Sequence, residues 1–179
     1  MIRGLEKKSS RMAMSGCRDL QSATTVALNL LSFRPRSEAE LRERLNDRFV
    51  ADIVNQVIET LIRQNMVDDY KFAELWRNNR LSFAPRSATR IKQELIQKGV
   101  AGEIAASVVK DVDDSQTAYH LVLKLTHKSR LSNPNDLRRK IHGYLKRRGY
   151  TNQVIHSSIA RFHNEHSHII GSFYDLVDD

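Results

Sequence analysis

Cysteine occurs once in this chain of 179 residues, proline three times and glycine seven times, and aromatic residues make up only 7%. The lone Cys17 lies in a polar N-terminal stretch, which excludes a disulfide framework and a thiolate metal cluster and suits a reducing cytoplasm. So few glycines leave little material for the tight turns of an all-β fold. No apolar run approaches the roughly 20 residues that cross a bilayer. The opening "MIRGLEKKSSRMAMSGCRDLQS" has basic residues but no continuous apolar stretch to act as a secretory signal, so residues 1–20 are expected to form a disordered basic leader. Also missing are a glycine-rich phosphate loop, a nucleophile elbow and a paired-carboxylate constellation. Nothing therefore points to an enzyme, and no cofactor is expected.

Charge, by contrast, is plentiful and lopsided. The formal net charge is +8, which calls for a polyanionic partner or an acidic protein surface. Its distribution is the informative part. Between His120 and Tyr150 stand Lys124, Lys128, Arg130, Arg138, Arg139, Lys140, Lys146, Arg147 and Arg148 against one acid, Asp136. This segment alone matches the surplus of the whole chain. Elsewhere acids and bases nearly cancel, and the chain closes on the acidic "SFYDLVDD".

The second feature present is a repeat. "LSFRPRS" at 31–37 recurs as "LSFAPRS" at 81–87, and the same fifty-residue step places Leu41 and Leu45 on Ile91 and Leu95, then on Ile141 and Leu145, and Gly99 on Gly149. Apolar residues inside each copy recur at helical spacing: Ala27, Leu28 and Leu31, then Leu41 and Leu45, then Ile53, Val57 and Leu61 in the first. Phe72, Leu75 and Trp76, then Ala88, Ile91 and Leu95, then Ile104, Val108, Val109 and Val112 mark the second. The third gives Leu121 and Leu125, then Ile141 and Leu145, then Val154, Ser158, Ile159 and Phe162. The expected fold is all-α, with three tandem three-helix modules resembling helix-turn-helix repeats, at 21–67, 68–116 and 117–164, followed by an acidic tail at 165–179. Modules so small have thin cores that neighbours must cover, which predicts an elongated, curved array.

Within that frame Pro35 and Pro85 stop the first helix of a module, and Ser37 and Ser87 cap the second. Ser37 with Glu40 reads as a capping box, while Ser87 caps alone because Arg90 stands at the equivalent of the acid. In the third module "NPND" offers Asn135 or Asp136 as the cap. Asp68 or Asp69 caps the helix that begins the second module. "QKGV" at 97–100 and "RRGY" at 147–150 end their helices on a glycine, whereas "DRFV" in the first module must turn differently.

Arg36 and Arg86 precede helix N-termini, where the helix dipole opposes a cation by up to about 1 kcal/mol. Two readings are open: an anion held there by arginine, serine hydroxyl and free backbone amides, or an arginine folded back onto an acid of its own module. Arg90 and Lys92 adjoin this surface. On "DLRRKIHGYLKRRGY" the buried side takes Ile141, Leu145 and Tyr144, so Arg138, Arg139, Lys146, Arg147 and Arg148 face outward without acids to neutralise them, extended by Lys124 and Lys128. The cluster "HNEHSH" (His163, His166, His168) lacks a partner carboxylate or cysteine and is read as a solvated helix end, with no metal expected.

Four blocks, "RPRSEAELRERL" at 34–45, "MVDDYKFAELWRNNR" at 66–80, "PRSATRIKQELIQKGV" at 85–100 and "LRRKIHGYLKRRGY" at 137–150, together resemble the RecX family in order and spacing, over roughly residues 24–162. The resemblance implies a cytoplasmic, all-helical, non-enzymatic regulator of the RecA recombinase. Such a protein lies along the groove of the RecA filament on single-stranded DNA and restrains recombination and ATP hydrolysis. Expected partners are the RecA filament and single-stranded DNA, with non-specific duplex DNA a further candidate. No membrane is involved, and the protein is expected to be a monomer. Two departures stand out: Asn65 where many relatives carry glycine ahead of the aspartate pair, and Phe49 in place of a turn glycine. The competing class is a free-standing helix-turn-helix DNA-binding regulator, against which the chain shows no helix rich in base-reading Asn, Gln and Arg.

Overall fold

The computed structural model describes residues 19–128 and 134–174. The leader up to residue 18, the segment 129–133 that carries Arg130, and the last residues of the acidic tail at 175–179 lie outside the described residues. Among the described residues all regular structure is helical. The helices are α1 (19–33), α2 (Glu38–Asn46), α3 (Ala51–Arg63), α4 (Asp69–Phe83), α5 (Ala88–Gln97), α6 (Gly102–Val109), α7 (Asp114–Lys128), α8 (Pro134–Arg147) and α9 (Asn152–Tyr174). α9 carries non-helical dihedrals at His166 and runs past residue 164, where the third module was expected to end.

Contacts divide the chain into two compact units: residues up to Leu75 with Leu95–Ala105, and Trp76–Glu94 with Ala106 onward. The core of the first joins Ala23, Ala27, Leu41, Leu45, Val54, Val57, Ile58, Leu61 and Val67, with Phe49 and Ile53 packed at its edge. Phe49 thus fills the glycine-less turn with an apolar anchor. The core of the second joins Ala118, Leu121, Val122, Ile141, Leu145, Tyr150, Ile155 and Ile159, flanked by Leu125, Leu137, Tyr144, Val154 and Phe162. The helical periodicities therefore mark buried faces, with two corrections. Leu75 is 53% exposed, the buried stripe of α4 being Phe72 and Ala73, and Leu28 sits on the open side of α1.

Helix ends follow local chemistry. Asn65 adopts φ 55° after α3, the left-handed conformation that asparagine tolerates best after glycine, and the amides of Met66 and Val67 close on Leu61 O. Gly99 and Gly149 take φ 81° and 89° after α5 and α8. α8 starts at Pro134, so Asn135 and Asp136 lie inside its first turn rather than at its cap.

Candidate functional site

The letters Pro-Arg-Ser lead into a junction built twice from the same parts. In the first unit Ser37 Oγ accepts the Glu40 amide at 3.1 Å and donates to Lys98 O at 2.5 Å, while Asp69 Oδ1 accepts the Glu38 amide at 2.8 Å. In the second, Ser87 Oγ accepts the Arg90 amide at 3.2 Å and donates to Gly149 O at 2.8 Å, the Ser87 amide donates to Arg148 O, and Asp114 Oδ1 accepts the Ala88 amide at 2.8 Å. The neighbouring Asp68 and Asp113 cap α4 and α7 through the amides of Lys71 and Gln116. "VDD" at 67–69 and again at 112–114 is therefore a two-part device: the first aspartate starts its own helix, and the second reaches back to an earlier one. Burial pushes the Asp69 and Asp114 carboxyls up, an effect the helix-amide hydrogen bonds oppose.

This geometry bears on the expected anion site. The amides of Glu38, Glu40, Ala88 and Arg90 are already bonded to the chain's own carboxylates and serines. The anion at these helix N-termini is internal. Arg36 Nε donates to Leu30 O at 3.1 Å, and Arg86 Nε stands 3.1 Å from Glu94 Oε1. The folded-back reading thus describes Arg86, whereas Arg36 settles on a helix C-terminal carbonyl. The capping box is half formed, because the Glu40 carboxylate goes to Arg34 at 2.9 Å and Lys98 at 2.7 Å. Burial alone would raise the Glu40 carboxyl, but those two cations hold it at about 2.

Glu94 is a residue that the periodicity did not single out. It is only 8% exposed, and its carboxylate takes Trp76 Nε1 at 3.0 Å, Arg80 Nε at 2.7 Å and Arg86 Nε at 3.1 Å. Arg90 Nε, buried and without a hydrogen bond, stands 3.9 Å away. The Arg80 guanidinium lies 4.4 Å above the Trp76 ring. A carboxylate between Ile91 and Leu95 on the buried stripe of α5 was the available signal, since a buried charge demands partners. Lys92 is half-buried on the same helix.

The basic segment presents its cations on α8 as expected. Arg138, Arg139, Lys140, Lys146 and Arg147 are exposed, while Ile141 and Leu145 are buried. Arg139 pairs with Asp136, and Lys146 Nζ bonds Asn152 Oδ1 at 3.0 Å. Arg148 is drawn in: its guanidinium sits 3.5 Å over the Tyr144 ring and its carbonyl accepts the Ser87 amide. Lys124 is exposed on α7, and the Lys128 side chain lies outside the described residues. His166 stacks on Phe162 at 4.6 Å, and the His168 side chain is outside the described residues. Among the described residues no three His, Cys, Asp or Glu are grouped to hold a metal ion, and no helix is long and apolar enough to cross a membrane.

Comparison with known proteins agrees with this architecture. Family models for the first and second three-helix domains of RecX match residues 23–61 and 68–109. A regulatory protein RecX of Mycolicibacterium smegmatis is 32% identical over 78% of this chain and 79% of its own length, and one of Amycolatopsis mediterranei is 32% identical over 89% and 91%. The crystal structure of RecX from Lactobacillus salivarius superposes with a TM-score of 0.68 at 23% identity, covering 81% of this chain and 97% of that one. With two domain models in order and 32% of residues shared over 79% and 91% of the length of these two relatives, the chain belongs to the RecX family of regulatory proteins.

Proposed function

We propose that this protein is a non-enzymatic, cytoplasmic regulator of RecA that binds the RecA filament on single-stranded DNA and inhibits its recombinase and ATPase activity. The observation that carries the reading is the outward face of α8. Arg138, Arg139, Lys140, Lys146 and Arg147 are exposed there with Asp136 the one acid of the segment. Such a face attracts a phosphate backbone without reading bases. The mechanism is differential binding: contacts that favour a non-productive filament state shift its equilibrium without chemistry. Arg36, Arg86, Arg90 and Lys92 form a second part of the cationic surface in this reading, with Arg86 and Arg90 gathered at Glu94 and Arg36 bonded to Leu30 O. Lys124 extends it.

The test is RecA-dependent ATP hydrolysis on single-stranded DNA with the wild-type chain and with Arg138, Arg139, Arg147 and Arg148 replaced by glutamate. Inhibition by the wild type that disappears in the folded variant supports the proposal. Tight, sequence-dependent binding to duplex DNA at physiological salt, with no gain from RecA, would instead favour a free-standing DNA-binding regulator.

A further inference from the structure

Six letters are shared between "LSFRPRS" and "LSFAPRS", and most have a task inside the fold. Leu31 and Leu81 are half-buried, Pro35 and Pro85 end their helices, and Arg36, Arg86, Ser37 and Ser87 are bonded as described. The phenylalanines do not. Phe33 is 84% exposed and Phe83 82%, the two most exposed large apolar side chains of the described residues. A single exposed apolar residue is ordinary. The same aromatic left open at the same repeat position in both units is not required by anything in the packing.

Each ring stands beside a surplus of cations. Phe83 follows Arg80 by three residues on α4, the spacing of surface neighbours, and Arg80, Arg86 and Arg90 share one buried carboxylate, Glu94. Phe33 adjoins Arg34 in sequence. There Arg34 and Lys98 share the single carboxylate of Glu40, and Arg36 lies close enough to Arg34 for the two charges to oppose each other. Three cations to one acid beside an uncovered flat ring complements a chain of phosphates carrying flat apolar groups. Duplex DNA hides those groups in its stack, and a single strand presents them.

We propose that Phe33 and Phe83 are base-stacking platforms for single-stranded nucleic acid, one in each unit, with the adjoining arginines facing the phosphates. The inference rests on the reading of this chain as a protein that acts on single-stranded DNA. It adds two contact points, on helices other than α8, that recognise the unpaired base itself. Stacking accepts any base, so the platforms hold a strand without selecting sequence.

The experiment is fluorescence anisotropy of the full chain with a labelled oligothymidylate and with an abasic strand of equal length, over a series of salt concentrations. Phe33→Ala and Phe83→Ala each weaken binding to oligothymidylate by roughly five- to a hundredfold, the range expected for loss of one stacked base. They leave the slope of log affinity against log salt unchanged, because no counterion release is lost. Neither affects binding to the abasic strand, and Phe33→Trp and Phe83→Trp retain wild-type affinity. The proposal is overturned if the alanine variants bind oligothymidylate like the wild type, including when they lose RecA binding alone, which would make the rings a protein contact. Equal loss on intact and abasic strands overturns it as well. Failure of the regulatory reading is separate, since it is scored by RecA ATPase with the α8 variants.

Discussion

Glu94 holds three guanidiniums and an indole with one carboxylate, so its removal leaves several partners uncompensated at once. Glu94→Ala leaves Arg80, Arg86 and the buried Nε of Arg90 facing one another without an anion. Breaking a buried ion pair from one side costs about 3 to 5 kcal/mol, and the partly exposed arginines place this case near the lower figure. The urea midpoint of the variant is expected to fall accordingly, with Arg80→Met relieving part of the loss. Gly99 and Gly149 are constrained by geometry. A Cβ on Gly99 would stand 2.1 Å from Ala39 Cβ, and one on Gly149 2.7 Å from Ser87 Oγ and 2.8 Å from Arg90 Cβ, both at positive φ. Gly99→Ala combines left-handed strain of about 1 to 2 kcal/mol with overpacking of about 1 to 3. A loss of at least 2 kcal/mol in denaturant unfolding is expected. Asn65→Gly, at a position that is left-handed but already occupied by a tolerant residue, is expected to be neutral or slightly stabilising in the same measurement.

At the scale of elements, each junction ties a serine cap, a glycine turn and a returning aspartate into one unit of structure. Asp69→Ala and Asp114→Ala withdraw the acceptors of the Glu38 and Ala88 amides, and each is expected to cost about 1 to 2 kcal/mol, like a lost N-cap. Hydrogen exchange should report the loss first at those two amides. Acid adds a second handle. The Glu40 carboxyl is held at about 2, below its ordinary 4.5, so it contributes stability above that ordinary value and loses it as pH falls through 2. Glu40→Gln should therefore flatten the acid limb of the urea midpoint between pH 4.5 and 2, with the two proteins converging below it. These elements show what the sequence made legible. The period of Leu41, Leu45, Ile91, Leu95, Ile141 and Leu145 identifies buried helix faces, and Pro-Arg-Ser marks helix ends, because both depend on residues close together in the chain. The partners of Ser37 and Asp69 lie 61 and 31 residues away, at Lys98 and Glu38. Pairing of that kind leaves no local period, although the recurrence of "VDD" at 67–69 and 112–114 was a visible hint. Glu94 was legible in principle as a charge on an apolar stripe. The open rings of Phe33 and Phe83 were not, since an exposed phenylalanine and a buried one share the same letter.

For the whole molecule the deciding quantity is charge. The formal surplus is +8, and each arginine-to-glutamate change removes two units, so reversing Arg138, Arg139, Arg147 and Arg148 brings the net charge to zero. If the α8 face holds phosphates, affinity for single-stranded DNA depends steeply on salt, with a slope in log affinity of about 0.7 per neutralised phosphate. Removing the three such contacts at Arg138, Arg139 and Arg147 lowers that slope by about 2, whereas loss of a stacking residue lowers affinity and leaves the slope alone. Arg148 separates the two sides of this prediction. Its guanidinium lies on Tyr144, so Arg148→Gln should change the slope less than Arg147→Gln while lowering stability more. A chain at zero net charge also self-associates more readily, so the reversed variant must be compared at a concentration where sedimentation shows it dispersed. Titrations of the wild type and of these single variants from low to physiological salt measure the slopes directly. Equal slopes for Arg147→Gln and the wild type would remove α8 from the phosphate-binding face and leave the cationic junctions as the remaining contact surface.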